Sequence, residues 1–81
     1  MERAYYPNLE AELLRAGISK ADLAAFIGIS ISALYAKMSG SRSFKLDEAL
    51  KIAKYISIAT EREYFVEYLF KLEPSAVFLN D

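Results

Sequence analysis

The sequence predicts an all-α fold, a compact bundle of four to five helices in one domain. Three observations lead there. Apolar residues recur three and four positions apart in stretches such as "LEAELLRAG" (9–17) and "LDEALKIAKYI" (46–56), the spacing that lines one face of a helix. Capping residues and glycines punctuate those stretches, at Ser19, Ser30, Gly17, Gly28 and Gly40. With 81 residues, the chain has room for a single core.

The first helix follows Pro7-Asn8. Asn8 is the expected N-cap, Glu10 and Glu12 suit the positive helix end, and Gly17 closes it. Leu9, Leu13 and Ala16 are its inward positions. The second helix starts at Ser19, with Asp22 three residues on as a variant capping box. Leu23, Ala24 and Ile27 form its buried stripe, and Gly28 stops it. Ser30 caps a third helix after only "GI", so the two helices must meet at a steep angle. Leu34 and Met38 point inward there, Ile29 plugs the turn, and Gly40 ends the helix.

"SRSFK" (41–45) reads as a polar loop anchored by Phe44. A fourth helix follows, with Leu46, Ala49, Leu50, Ala53 and Ile56 expected on its inner side. Lys45 is a poor N-cap, although Glu48 stands where a capping box wants it. Thr60-Glu61-Arg62-Glu63 reads as a full capping box opening a fifth helix to about Lys71, and Pro74 forbids continuation. "SAVFLN" (75–80) is left between a short C-terminal strand and an extended tail, because periodicity cannot decide over so few residues.

Composition narrows the function. The chain contains no Cys and no His, which removes disulfides, thiolate metal sites and the commonest general base. With three Gly and no phosphate loop, no constellation supports an enzyme, and neither a cofactor nor a metal is expected. The apolar runs fall far short of a membrane span and no signal peptide is evident, so a cytoplasmic setting without membrane contact is expected. A hydrophobic content of 54% is high for so small a core and places part of the apolar surface at a subunit interface. The net charge is −1, but residues 28–60 carry +3 and residues 61–81 carry −3. The middle of the chain is therefore basic and its end acidic.

The stretch "LEAELLRAGISKADLAAFIGISISALYAKMSGSRSFKLDEALKIAKYI" resembles the lambda-repressor/Cro-like (Xre-type) helix-turn-helix family, especially its small phage-type members. The fingerprint residues are Leu23-Ala24, Gly28-Ile29-Ser30, Leu34, Met38, Gly40 and "FKLDEALKIA". Residues 8–56 would form the family core, and residues 57–81 a C-terminal helix and tail serving as a dimerisation element within a single domain, 1–81. The resemblance implies a dimeric transcription regulator, a repressor of phage or prophage type, with its third helix in the major groove of double-stranded DNA. Carried over by position, the base-edge contacts are Ile31, Ser32, Tyr35 and Ala36. None of these can make the bidentate contacts to guanine or adenine that dominate direct readout.

Phosphate contacts are expected from Lys20, Ser30, Lys37, Arg42, Ser43 and Lys45, which lie at the starts of helices two and three, on helix three and along the following loop. If Lys20, Lys37, Arg42 and Lys45 each neutralise one phosphate, a dimer covers about eight, and log K falls with log salt at a slope near −7. Five of the eleven aromatic residues lie in the last 21 positions, and Tyr64, Phe65, Tyr68 and Phe78 are the expected dimer interface. A second reading uses the same fold for protein contact, as an adaptor or antirepressor-like module with Ile31 and Ala36 at the interface. The isoelectric point near 5.4 favours it.

Overall fold

The computed structural model describes residues 5–72, which form five helices and no strand. These are α1 (Pro7–Ala16), α2 (Lys20–Ile27), α3 (Ile31–Met38), α4 (Leu46–Thr60) and α5 (Val66–Leu69). Helices α1, α2, α4 and α5 surround the core, and α3 packs against α2. Leu9, Leu23, Leu34, Ile52, Ile56 and Leu69 are fully buried at its centre. Each such side chain contributes about 1.5–3 kcal/mol of transfer free energy. The expected stripes of α2 and α3 are in place: Leu23, Ala24, Ile27, Leu34 and Met38 are all buried, and Ile29 packs against them from the turn.

Pro7, not Asn8, sets the start of α1. Its fixed φ and missing N–H suit the first helical position, which leaves Tyr6 as N-cap without a side-chain hydrogen bond. Asn8 is thereby drawn into the first turn, and its amide Nδ2 donates to the Tyr68 carbonyl at 2.9 Å. The residue read as a local cap is a long-range tie between α1 and α5.

Two further expectations are corrected in α4. Its buried stripe is Ala49, Ile52, Ala53 and Ile56, whereas Leu46 and Leu50 are 71% and 53% exposed. At 100° per residue these two leucines lie about 70° to 110° round the helix from the centre of that stripe. Nor does Thr60 open a new helix. It is the last residue of α4, and its hydroxyl donates back to the Ile56 carbonyl at 2.8 Å, a bond that competes with capping. Glu61 then turns left-handed at φ 57°. The helix expected to reach Lys71 is reduced to the four residues of α5, preceded by a loop whose Tyr64 N–H donates to Ser57 Oγ at 2.9 Å.

Phe44 does anchor its loop. Its ring packs 5.7 Å from Tyr6 and 5.0 Å from Phe70, closing an aromatic cluster below the start of α4. The strand-or-tail question at residues 75–80 lies outside the described residues.

Candidate nucleic-acid interface

The geometry of the α2–α3 pair begins at Gly28. Its φ of +82° closes α2 with a bond from its N–H to the Ala24 carbonyl at 2.9 Å. No atom lies within 4 Å of where a Cβ would be, so the backbone conformation alone requires glycine here. With Ile29 wedged beneath, the axes of α2 and α3 bend by 105°. Both helices are capped as expected: Ser19 Oγ accepts from the Asp22 N–H and Ser30 Oγ from the Ala33 N–H, each at 3.0 Å. Each cap occupies an oxygen lone pair and leaves the hydroxyl hydrogen able to donate outward.

On α3, Ile31 is 43% and Tyr35 53% exposed; Ser32 is also exposed and Ala36 half-buried. The four share one sector of the helix facing away from the core. Arg42, Ser43 and Lys45 are exposed along the loop that follows. Lys20, at the start of α2, lies 2.8 Å from the Glu10 carboxylate, with its ammonium 5.7 Å from the centre of the Tyr35 ring. One cation thus links α1, α2 and the outer face of α3, although Glu10 offsets part of its charge.

Lys37 departs from expectation. It is only 4% exposed, and its ammonium donates to Glu48 Oε1 at 2.6 Å, so it cannot reach a phosphate. The same carboxylate oxygen accepts the Lys45 N–H at 2.9 Å. That bond is the half of a capping box that lysine, lacking a side-chain acceptor, cannot reciprocate. Burial of the Glu48 carboxyl works to raise its pKa, but the Lys37 hydrogen bond, the Lys45 amide and the two lysine charges together hold it below the usual carboxylate range. The pair therefore clamps the end of α3 to the start of α4 on either side of the loop bearing Arg42 and Ser43.

A second buried carboxylate organises the far side. Glu12 accepts hydrogen bonds from the hydroxyls of Tyr64 at 2.7 Å and Tyr68 at 2.8 Å, and from Arg15 at 2.6 Å. Burial again raises its pKa, and these donors, with the charges of Arg15 and Arg62, outweigh that and leave it lowered. Both tyrosine pKa values are raised, chiefly by their bonds to the carboxylate. Tyr64 and Tyr68, expected at a subunit interface, thus commit their hydroxyls to the chain's own α1. Phe65 between them is 60% exposed. Phe78 lies outside the described residues.

This steep, doubly capped helix pair with an uncovered second helix coincides with the comparison to known families. The helix-turn-helix family model matches residues 9–61. The chain belongs to the helix-turn-helix family. The match takes in α1 to α4 of this helix-turn-helix protein and stops at Glu61, where the chain turns left-handed. A search of the curated proteins and a search of the solved structures each find no match. No single helix among the described residues is long and apolar enough to cross a membrane.

The sequence alone did not reveal Glu10 and Tyr35 as neighbours of Lys20, or Glu48 as the partner of Lys37. For the second pair a signal did exist. Lys37 falls one residue before Met38 and three after Leu34, on the inward side of α3, where a lysine needs a buried counter-charge.

Proposed function

We propose that the protein is a transcription regulator of phage or prophage type that binds double-stranded DNA as a homodimer, with α3 in the major groove. The observation that carries this reading is the exposed sector of α3 flanked by the capped starts of α2 and α3 and by Lys20, Arg42 and Lys45. Ser30, Ser43 and these three cations serve as phosphate contacts that set register and orientation. Ile31 and Ala36 meet thymine methyls, and Ser32 and Tyr35 supply single hydrogen bonds. With so few base contacts, selectivity rests largely on half-site spacing and DNA shape.

Selection of bound duplexes from a random pool tests the proposal. Enrichment of paired half-sites about 10 bp apart, centre to centre, is the expected result. The exposed Ile31 and Tyr35 also favour the second reading, contact with another protein through the same sector. Failure to shift any duplex at low salt would leave that reading in place of the first.

A further inference from the structure

Among the cations assigned to phosphates, Lys20 stands apart. Arg42 and Lys45 are exposed, whereas Lys20 is half-buried and already engaged. Its ammonium lies 2.8 Å from Glu10 Oε1 on α1 and 5.7 Å from the centre of the Tyr35 ring on α3. Tyr35 is exposed on the sector that α3 offers to a duplex, so the ammonium marks the edge of that sector and brings a carboxylate with it. The place of Glu10 in the first turn of α1, near the positive helix end, accounts for an acidic residue at that position. It does not account for the pairing with Lys20, which sets an anion beside a surface meant for a polyanion.

We propose that Glu10 is an internal stand-in for a DNA phosphate: it holds the Lys20 ammonium in the free protein and gives it up when a backbone phosphate arrives. The inference rests on the proposed DNA binding and adds to it the residue that sets its strength. Two features favour the exchange. A phosphate at the start of α2 meets the ammonium together with the first backbone N–H groups of that helix, which have no carbonyl partner within it. Glu10 comes to the ammonium from another helix. Between α1 and the start of α2, a hollow of about 420 Å³ lined by Glu10, Ala11, Leu14 and Lys20 gives the released carboxylate open space to turn into. Because phosphates carry no base information, this competition lowers affinity by the same factor on every sequence. Glu10 thus weakens binding without altering what is read.

Binding to random duplex, followed by fluorescence anisotropy over a range of salt concentrations, tests the exchange. Glu10→Gln should tighten binding about threefold per subunit, or about tenfold for a dimer. The slope of log K against log salt should stay that of wild type, because Lys20 neutralises its phosphate in both proteins. Lys20→Met should make that slope shallower by nearly two per dimer. Glu10→Asp keeps the charge but shortens the reach by one methylene, and should tighten dimer binding by at least about threefold. Glu67→Gln, which removes an exposed charge on α5, should leave affinity within about twofold of wild type. The melting temperature of E10Q should stay within about 6 °C of wild type, so that the gain is not a change of fold. An E10Q affinity equal to wild type overturns the inference. So does an E10D variant that binds like wild type beside a tighter E10Q, which would reduce the effect to general repulsion. An E10Q slope steeper by nearly two means that the carboxylate never yields, and overturns it as well. In each of these cases wild-type binding leaves the proposed function standing. Absence of binding by wild type and E10Q alike fails the proposed function itself, and the inference with it.

Discussion

Replacing Lys37 by Met removes the cation from a buried pair and strands the Glu48 carboxylate, 7% exposed, with only the Lys45 N–H as donor. Breaking a buried ion pair from one side costs about 3–5 kcal/mol. In a domain this small no site is far from water, and the remaining amide bond persists, so the lower end, about 3 kcal/mol, is expected. A chain of 81 residues has a total stability of about 4–12 kcal/mol, so K37M should lower the urea midpoint by a quarter or more. Changing both partners tells a different story. Lys37→Met with Glu48→Gln keeps an acceptor for the Lys45 amide while removing both charges, and should recover most of the loss. Urea titrations of wild type, both single variants and the double variant, followed by circular dichroism, close the cycle. DNA binding supplies the second readout: the folded double variant should keep the wild-type salt slope, because Lys37 touches no phosphate. A K37M cost below about 1 kcal/mol, or a slope shallower by nearly two per dimer in the double variant, would refute the clamp.

The remaining predictions follow from the same geometry. With Lys37 withdrawn, Lys20, Arg42 and Lys45 leave about six phosphates neutralised per dimer, so log K against log salt should have a slope near −5 instead of −7. Charge reversal at Arg42 and Lys45 together should abolish binding in a gel shift. Glu12 and Glu48 have folded pKa values below their unfolded ones, so their stabilisation is present above the unfolded carboxylate range, near pH 4.3, and is lost as pH falls through the folded values. Acid melting should therefore become shallower in Glu12→Gln, measured as melting temperature against pH. Removing the Ser30 cap with Ser30→Ala should cost about 1 kcal/mol by urea titration and weaken DNA binding through the start of α3. Gly40→Ala should destabilise more than Gly28→Ala. Both positions have positive φ, and a Cβ at 40 would in addition come within 2.8 Å of the Tyr5 ring, which is 38% exposed and must swing aside, whereas nothing stands within 4 Å at 28; the excess at 40 should therefore be small and should vanish in Tyr5→Ala.

The local sequence was sufficient for the helix-turn-helix itself. Ser19 and Ser30 act on amides three residues away, Gly28 on its own φ, and the Leu23, Ala24, Ile27 stripe on a single helix turn and a half. Such short-range terms are nearly complete before any packing, so they can be read from neighbours in the chain. The exposed sector of α3 follows from the same stripes, since whatever they bury leaves the opposite side outward.

Tertiary structure decided whatever depended on a partner distant in sequence. Lys37 looked like one more surface cation until folding brought Glu48, 11 residues on, to 2.6 Å. Nothing near Tyr64 and Tyr68 in the sequence announced that Glu12, 52 and 56 residues away, would accept both hydroxyls. Thr60 carried a complete cap signature, yet α4 absorbed it, because the Thr hydroxyl could bond backward to the Ile56 carbonyl as readily as forward. Leu46 and Leu50 fit a helical stripe as well as Ile52 does, and only the placement of α1, α2 and α5 chose which stripe is covered. Periodicity sets how apolar residues group around a helix; which side is buried, and which cation stays in water, depends on where the other helices stand.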